Sequence, residues 1–206
     1  MMNKPLILIP QENPPENYVY ALNLVGLDCE NTFSPKNLEK YSGLLLTGGG
    51  DFLSLFYNLN TVCKNVNILR DVSEFKILDY FLSNNLPILG ICRGMQIINV
   101  YLGGNLKNVE DHQSETGDDV FHPTFSTCKF FCSLNRVNSN HRQSVDKLNS
   151  FATDILTSND GVIEGFLTKN VIAVQFHPER MSAKAISLIY GEFSKLAYNY
   201  FTYRKS

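Results

Sequence analysis

Gly90-Ile91-Cys92-Arg93-Gly94-Met95-Gln96 is the stretch on which the reading of this chain turns. It closes an apolar run headed by a proline, Pro87-Ile88-Leu89-Gly90-Ile91. It opens a segment whose apolar residues, Met95, Ile97, Ile98, Tyr101 and Leu102, fall at helical spacing. Strand, Gly-x-Cys-x-Gly and helix in that order make a nucleophile elbow, in which flanking glycines let strand and helix approach closely. A thiol there sits at a helix N-terminus beside Arg93, and both favour the reactive thiolate. Near the other end of the chain, Phe176-His177-Pro178-Glu179 supplies a base and a group to orient it. The two-residue spacing on an extended run predicts that both side chains share one face.

The elements on either side fit a parallel sheet. The segment Pro5-Leu6-Ile7-Leu8-Ile9-Pro10 reads as a first buried strand and residues 18–25 as a helix. Gly43-Leu44-Leu45-Leu46-Thr47 reads as a second strand, running straight into Gly48-Gly49-Gly50-Asp51. Phe75, Ile77, Leu78 and Phe81 place a helix over residues 72–84. Strands that are apolar throughout and alternate with helices predict an α/β fold of three layers, a mostly parallel sheet covered on both faces. In the second half, residues 121–134, 151–157, 162–167 and 171–176 read as consecutive strands, part of them antiparallel, before a final helix over 183–201. Reactive groups in such a sheet gather at the carboxyl ends of its parallel strands. Gly48 to Asp51, Cys92 and His177 all fall there.

Length and composition narrow the function classes. The chain has 206 residues, enough for one domain (1–206) with a full core. Charged residues make up 18% and the net charge is −2, without a basic stretch that would suit nucleic acid. No segment has the length or apolarity of a membrane span or a secretory leader. Five cysteines without a spaced framework suggest a reducing, cytoplasmic setting. His112, His122 and His141 show no ligand spacing among themselves, and Cys128 and Cys132 lack a second pair, so no metal site is expected.

Two further groups carry chemistry. Gly48-Gly49-Gly50 can turn backbone N–H groups toward an oxyanion, joined by the N–H of Arg93 just past the cysteine. Gln96 lies one helical turn after Cys92 and therefore beside it.

These residues resemble the class I glutamine amidotransferase-like superfamily, which has a flavodoxin-like fold. Within it they resemble the γ-glutamyl-γ-aminobutyrate hydrolase (peptidase C26) family. The resemblance also rests on Leu46-Thr47-Gly48-Gly49-Gly50-Asp51 with Tyr57, Arg70-Asp71-Val72-Ser73-Glu74, Gly103-Gly104-Asn105-Leu106, Val137-Asn138-Ser139-Asn140-His141-Arg142-Gln143, Asp160-Gly161-Val162-Ile163-Glu164 and Val174-Gln175-Phe176. It implies hydrolysis of γ-glutamyl amides without a cofactor. Cys92, His177 and Glu179 would form the triad, and Gly49 or Gly50 with Arg93 the oxyanion hole. Gln96, Asn140, His141 and Gln143 would hold the glutamyl group. Ser54 stands where the family has a proline, Arg142 replaces a second histidine, and the segments after Tyr57 and Asp111 are short.

Two alternatives accompany that reading: a glutaminase subunit passing ammonia to a partner synthase, and a hydrolase of a γ-glutamyl nucleotide phosphoramidate. A cysteine α/β-hydrolase fits less well, since its acid precedes the histidine. The partner expected is a small-molecule γ-glutamyl substrate, with neither nucleic acid nor membrane; a homodimer is left open.

Overall fold

A computed structural model describes residues 4–57, 62–126 and 128–204. Its centre is a nine-stranded sheet with a parallel half and an antiparallel half. The parallel half comprises β1 (Leu6–Ile9), β2 (Asp28–Asn31), β3 (Gly43–Leu46), β4 (Ile88–Ile91) and β11 (Val171–Val174), in the order β2-β1-β3-β4-β11. In β3, β4 and β11 every residue is buried, so apolar runs without alternation do form strands covered on both faces. The sheet then continues antiparallel from β11 through β10 (Ile163–Leu167), β9 (Asp154–Ser158), β6 (Val120–Phe125) and β7 (Arg136–Ser139). A separate antiparallel pair joins β5 (Leu106–Asn108) to β8 (Gln143–Val145).

The period of two along the strands divides the core. Ile7, Ile9, Leu45, Ile91 and Val174 face one way. They pack with Leu22 of α1 (Glu16–Leu24) and with Ile189 and Phe193 of α4 (Ala183–Tyr203). Leu8, Leu44, Leu46, Ile88 and Ala173 face the other way. Against them lie Leu78 and Phe81 of α2 (Ile68–Ser83) and Met95 and Ile98 of α3 (Arg93–Tyr101). The result is the expected three layers. Among the described residues, no helix is long and apolar enough to cross a membrane.

Several boundaries differ from the sequence reading, among them the start of β9 at Asp154 rather than residue 151. Helix α2 begins a full turn early, because Asn67 caps it by accepting the N–H of Arg70; its first residues, Ile68 and Leu69, are exposed and outside the apolar stripe. Residues 121–134 are not one strand. β6 ends at Phe125, and the chain turns back through residues 128–133, with the N–H of Cys132 on the carbonyl of Cys128, to run antiparallel as β7. Finally, β11 stops at Val174, and Pro178–Arg180 is a turn of 3-10 helix rather than extended chain.

Candidate active site

β3, β4 and β11 are neighbours in the sheet, so the loops leaving their carboxyl ends converge on one spot. Cys92 lies between β4 and α3 with φ +52° and ψ −107°, a conformation a residue with a Cβ rarely adopts. Holding such a conformation takes roughly 1–3 kcal/mol from the surrounding fold. That fold is specific here. The N–H of Cys92 continues the ladder onto the carbonyl of Val174 at 2.8 Å. A Cβ on Gly90 would collide with Ile98, and one on Gly94 with the carbonyl of Leu46. The two glycines are what allow α3 to lie so close to the sheet.

His177 is buried beside this thiol. Its Nδ1 lies 2.7 Å from Oε1 of Glu179, its backbone N–H donates to Oδ1 of Asn138 at 2.9 Å, and its ring and the Cys92 side chain both flank Gly48. Burial alone would lower the imidazole pKa. The charge and hydrogen bond of Cys92, with those of Glu179, outweigh it and raise the pKa to about 9. The two-residue pairing of His177 and Glu179 is thus achieved through the 3-10 turn, not by strand periodicity. Two residues that sequence reasoning did not single out complete the surroundings. The Tyr18 hydroxyl accepts the Gly48 N–H at 3.1 Å and lies 3.3 Å from Nδ1 of His177. The amide of Gln175 reaches the Cys92 sulfur at 3.5 Å. Only the position of Gln175 just before Phe176-His177 could have signalled it.

The glycine loop stands opposite. Gly48 is wedged between catalytic-site side chains: a Cβ there would lie 2.8 Å from the His177 ring and 3.6 Å from Cys92 Cβ. Gly49 lies beside Arg70 and Arg93, whereas Gly50 abuts the backbone of Asn65. The Arg93 side chain departs from expectation. It turns away from the thiol into a buried ion-pair cluster with Asp71 and Glu74, and Glu74 also takes the Nε of Arg70 at 2.7 Å. Two carboxylates claim its charge, and they raise its pKa further despite burial. The backbone N–H of Arg93 remains at the first turn of α3, where helical donors lack intrahelical partners.

The four expected glutamyl contacts separate. Gln96 donates to the carbonyl of Gln143 at 2.8 Å and to Oε1 of Gln175 at 3.2 Å, and Gln143 donates to the hydroxyl of Tyr57 at 2.8 Å. Both are buried, and these bonds tie them into the framework around the site. Asn140 and His141 do line a cavity of about 330 Å³, together with Gly49, Gly50, Asp51 and Arg142. A second cavity of about 350 Å³ opens on the other side of Gly49, bounded by Gln11, Tyr18, Gly48, Arg70, His177 and Arg180. The two therefore meet at the glycine loop, one of them against the His177 ring.

The remaining histidines also assemble, against their sequence spacing. The ring of His112 stacks on His122 at 4.2 Å and meets His141 at 4.8 Å, beside the buried carboxyl of Glu164.

The Peptidase C26 family profile matches residues 21–179. The chain is 34% identical over 176 residues to a Lactococcus lactis protein, YvdE, described as glutamine amidotransferase-like; the match covers 76% of this chain and 74% of that one. It is 30% identical over 139 residues to the gamma-glutamyl-CDP-amidate hydrolase of Campylobacter jejuni, covering 66% of this chain and 62% of the enzyme. In fold it is similar over the whole length of both chains to a Thermoplasma acidophilum protein described as a GMP synthase subunit, with a TM-score of 0.74 at 20% identity. A cysteine elbow in this sheet, in this company, is that of a class I glutamine amidotransferase-like hydrolase. The chain belongs to the Peptidase C26 family.

Proposed function

We propose that the protein hydrolyses γ-glutamyl amides through a thioester on Cys92. The observation that carries this reading is the buried sulfur on a strained turn, beside an imidazole that Glu179 holds through Nδ1. The Cys92 thiolate adds to the amide carbonyl, and the N–H groups of Arg93 and Gly49 meet the oxygen as it takes up charge. His177, cationic, gives its proton to the nitrogen as the C–N bond breaks, and the amine leaves. Neutral His177 then takes a proton from water, the hydroxide adds to the thioester, and the thiolate departs as glutamate is released. Glu179 fixes the ring through Nδ1, leaving the other nitrogen for the sulfur and the substrate.

The family and the Campylobacter relative support the γ-glutamyl acyl half. That relative also favours one specific amine half, a nucleotide phosphoramidate. A panel of γ-glutamyl amides, including such a phosphoramidate, run beside the matching glutaryl amides, tests both halves. Glutaryl compounds lack the α-ammonium. They should lose kcat/KM by as much as about 10⁴–10⁵, the scale seen when buried polar groups go unpaired. Equal rates would remove the glutamyl assignment. Intact mass should show an added glutamyl group with a slow substrate, and none in Cys92→Ala; full activity in Cys92→Ala would end the covalent mechanism. A rise in glutaminase activity on adding a synthase would favour the ammonia-supplying alternative.

A further inference from the structure

His112, His141 and Glu164 come from three separate parts of the chain: the segment between β5 and β6, the link between β7 and β8, and the second position of β10. All three are buried, and one ligand atom from each lies within 4.8 Å of the others. The hydrogen bonds around them fix what those atoms offer. Nδ1 of His141 lies 3.0 Å from the carbonyl of Gln143, which can only accept, so Nδ1 carries the proton and Nε2 presents a lone pair. That Nε2 is buried without a partner. Nε2 of His112 lies 2.8 Å from a carboxylate oxygen of Asp160 and is likewise the protonated nitrogen. Nδ1 of His112 lies 3.6 Å from Oε1 of Glu164 and 3.1 Å from the Ser139 hydroxyl, which also reaches the His112 carbonyl at 2.9 Å; with Nε2 protonated, Nδ1 carries the second lone pair, and the hydroxyl can turn to the carbonyl when that lone pair binds elsewhere. Both oxygens of Glu164 are buried without partners.

Three potential ligand atoms therefore converge, and those of His141 and Glu164 are buried without a partner, a cost that a bound cation would remove. We infer that His112, His141 and Glu164 form a binding site for a divalent transition-metal ion of the zinc class. Two imidazoles and a carboxylate suit zinc and its neighbours rather than calcium or magnesium, which take oxygen ligands. Metal-bound histidines ordinarily donate their other N–H to a carboxylate or a backbone carbonyl, and Asp160 and Gln143 already occupy those two roles. Ligands at zinc bond lengths in a tetrahedron stand about 3.4 Å apart. The 3.6 Å between His112 and Glu164 is close to that, and all three ligand atoms lie within 4.8 Å of one another.

The ion would tie two loops to β10 of the sheet and reach toward the reaction centre. The Gln143 carbonyl that orients His141 also accepts from Gln96, Gln96 bonds Gln175, and Gln175 touches the Cys92 sulfur.

The test is a cobalt(II) titration of the full chain carrying Cys92→Ser, which keeps the reactive thiol from binding the probe. One equivalent should bind and give ligand-field bands without thiolate charge transfer, be displaced by zinc, and raise the melting temperature. Glu164→Gln and His141→Ala should each weaken binding at least about tenfold, and Asp160→Asn about 10–100-fold, through the orientation of His112. No binding at one equivalent, thiolate bands, or unchanged affinity in folded Glu164→Gln would each overturn the site. Should Glu164→Gln fail to fold, Asp160→Asn decides, since its side chain is half exposed. None of these readouts uses turnover, so their failure leaves the proposed hydrolysis standing.

Discussion

Glu179 meets the imidazole of His177 across one turn of 3-10 helix, at 2.7 Å from Nδ1. The carboxylate therefore orients the ring from behind while the sulfur occupies its front. In triads of this kind, nucleophile and base act as one unit and the orienting acid contributes less. His177→Ala should lower kcat/KM about as far as Cys92→Ala, by roughly 10⁴–10⁶. Glu179→Gln should retain at least about tenfold more activity than His177→Ala. Steady-state kinetics on one γ-glutamyl amide decide it; a larger loss in Glu179→Gln reverses the assigned roles.

The His177 pKa sets a pH dependence with a definite sign. Its folded pKa, about 9, stands above the ordinary 6.5. The stabilisation linked to its proton is thus fully present below pH 6.5 and is lost as pH rises through about 9. Melting temperature should fall across that window, and kcat/KM should show an alkaline limb near pH 9. In Cys92→Ser the charge that holds the proton is gone, so an NMR titration of the ring should give a lower pKa. An unchanged value would mean that sulfur and imidazole do not interact.

Arg93 bridges α2 and α3 inside the protein. Arg93→Leu leaves Asp71 and Glu74 buried, with only Arg70 remaining on Glu74. Removing one partner from a buried cluster typically destabilises by about 3–5 kcal/mol. Urea unfolding measures this directly, and a loss below about 1 kcal/mol would show that the cluster does not hold the helices together.

Two glycines should respond in opposite directions to the same change. Gly94→Ala drives a methyl into the Leu46 carbonyl, so α3 must move, at about 1–3 kcal/mol and with damage to the elbow. Gly191 lies inside α4 with nothing closer than 3.9 Å to a built Cβ. There alanine should stabilise by about 0.5–1 kcal/mol. Melting curves of the two variants make the comparison.

Much of this architecture could be read from the chain because buried parallel strands are apolar from end to end. Leu6–Ile9, Gly43–Leu46 and Ile88–Ile91 carry that signal, and the elbow glycines mark where strand meets helix. β2, with the sequence Asp-Cys-Glu-Asn, could not be read this way. It is an edge strand half open to water, formed only because β1 offers its free side. Side-chain partners are harder to read than strands. A glutamine beside the thiol looks the same whether it binds a ligand or a backbone carbonyl, as Gln96 does. An arginine next to the cysteine in sequence gives no warning that Asp71 and Glu74 will capture its side chain. His112, His141 and Glu164 are separated in the chain, and only the fold brings them together.

β11 is bordered by parallel β4 on one edge and by antiparallel β10 on the other, and His177 hangs from its end. It is the seam between two fabrics. On the parallel side, the elbow and the glycine loop are stitched to neighbours that tolerate little change. On the other side, β10, β9, β6 and β7 form a panel held to the reaction centre through a few threads, among them Asn138 on the His177 backbone. That panel can be recut for a new leaving group while the thiol chemistry stays as it is, so substrate divergence among such hydrolases should concentrate beyond β11.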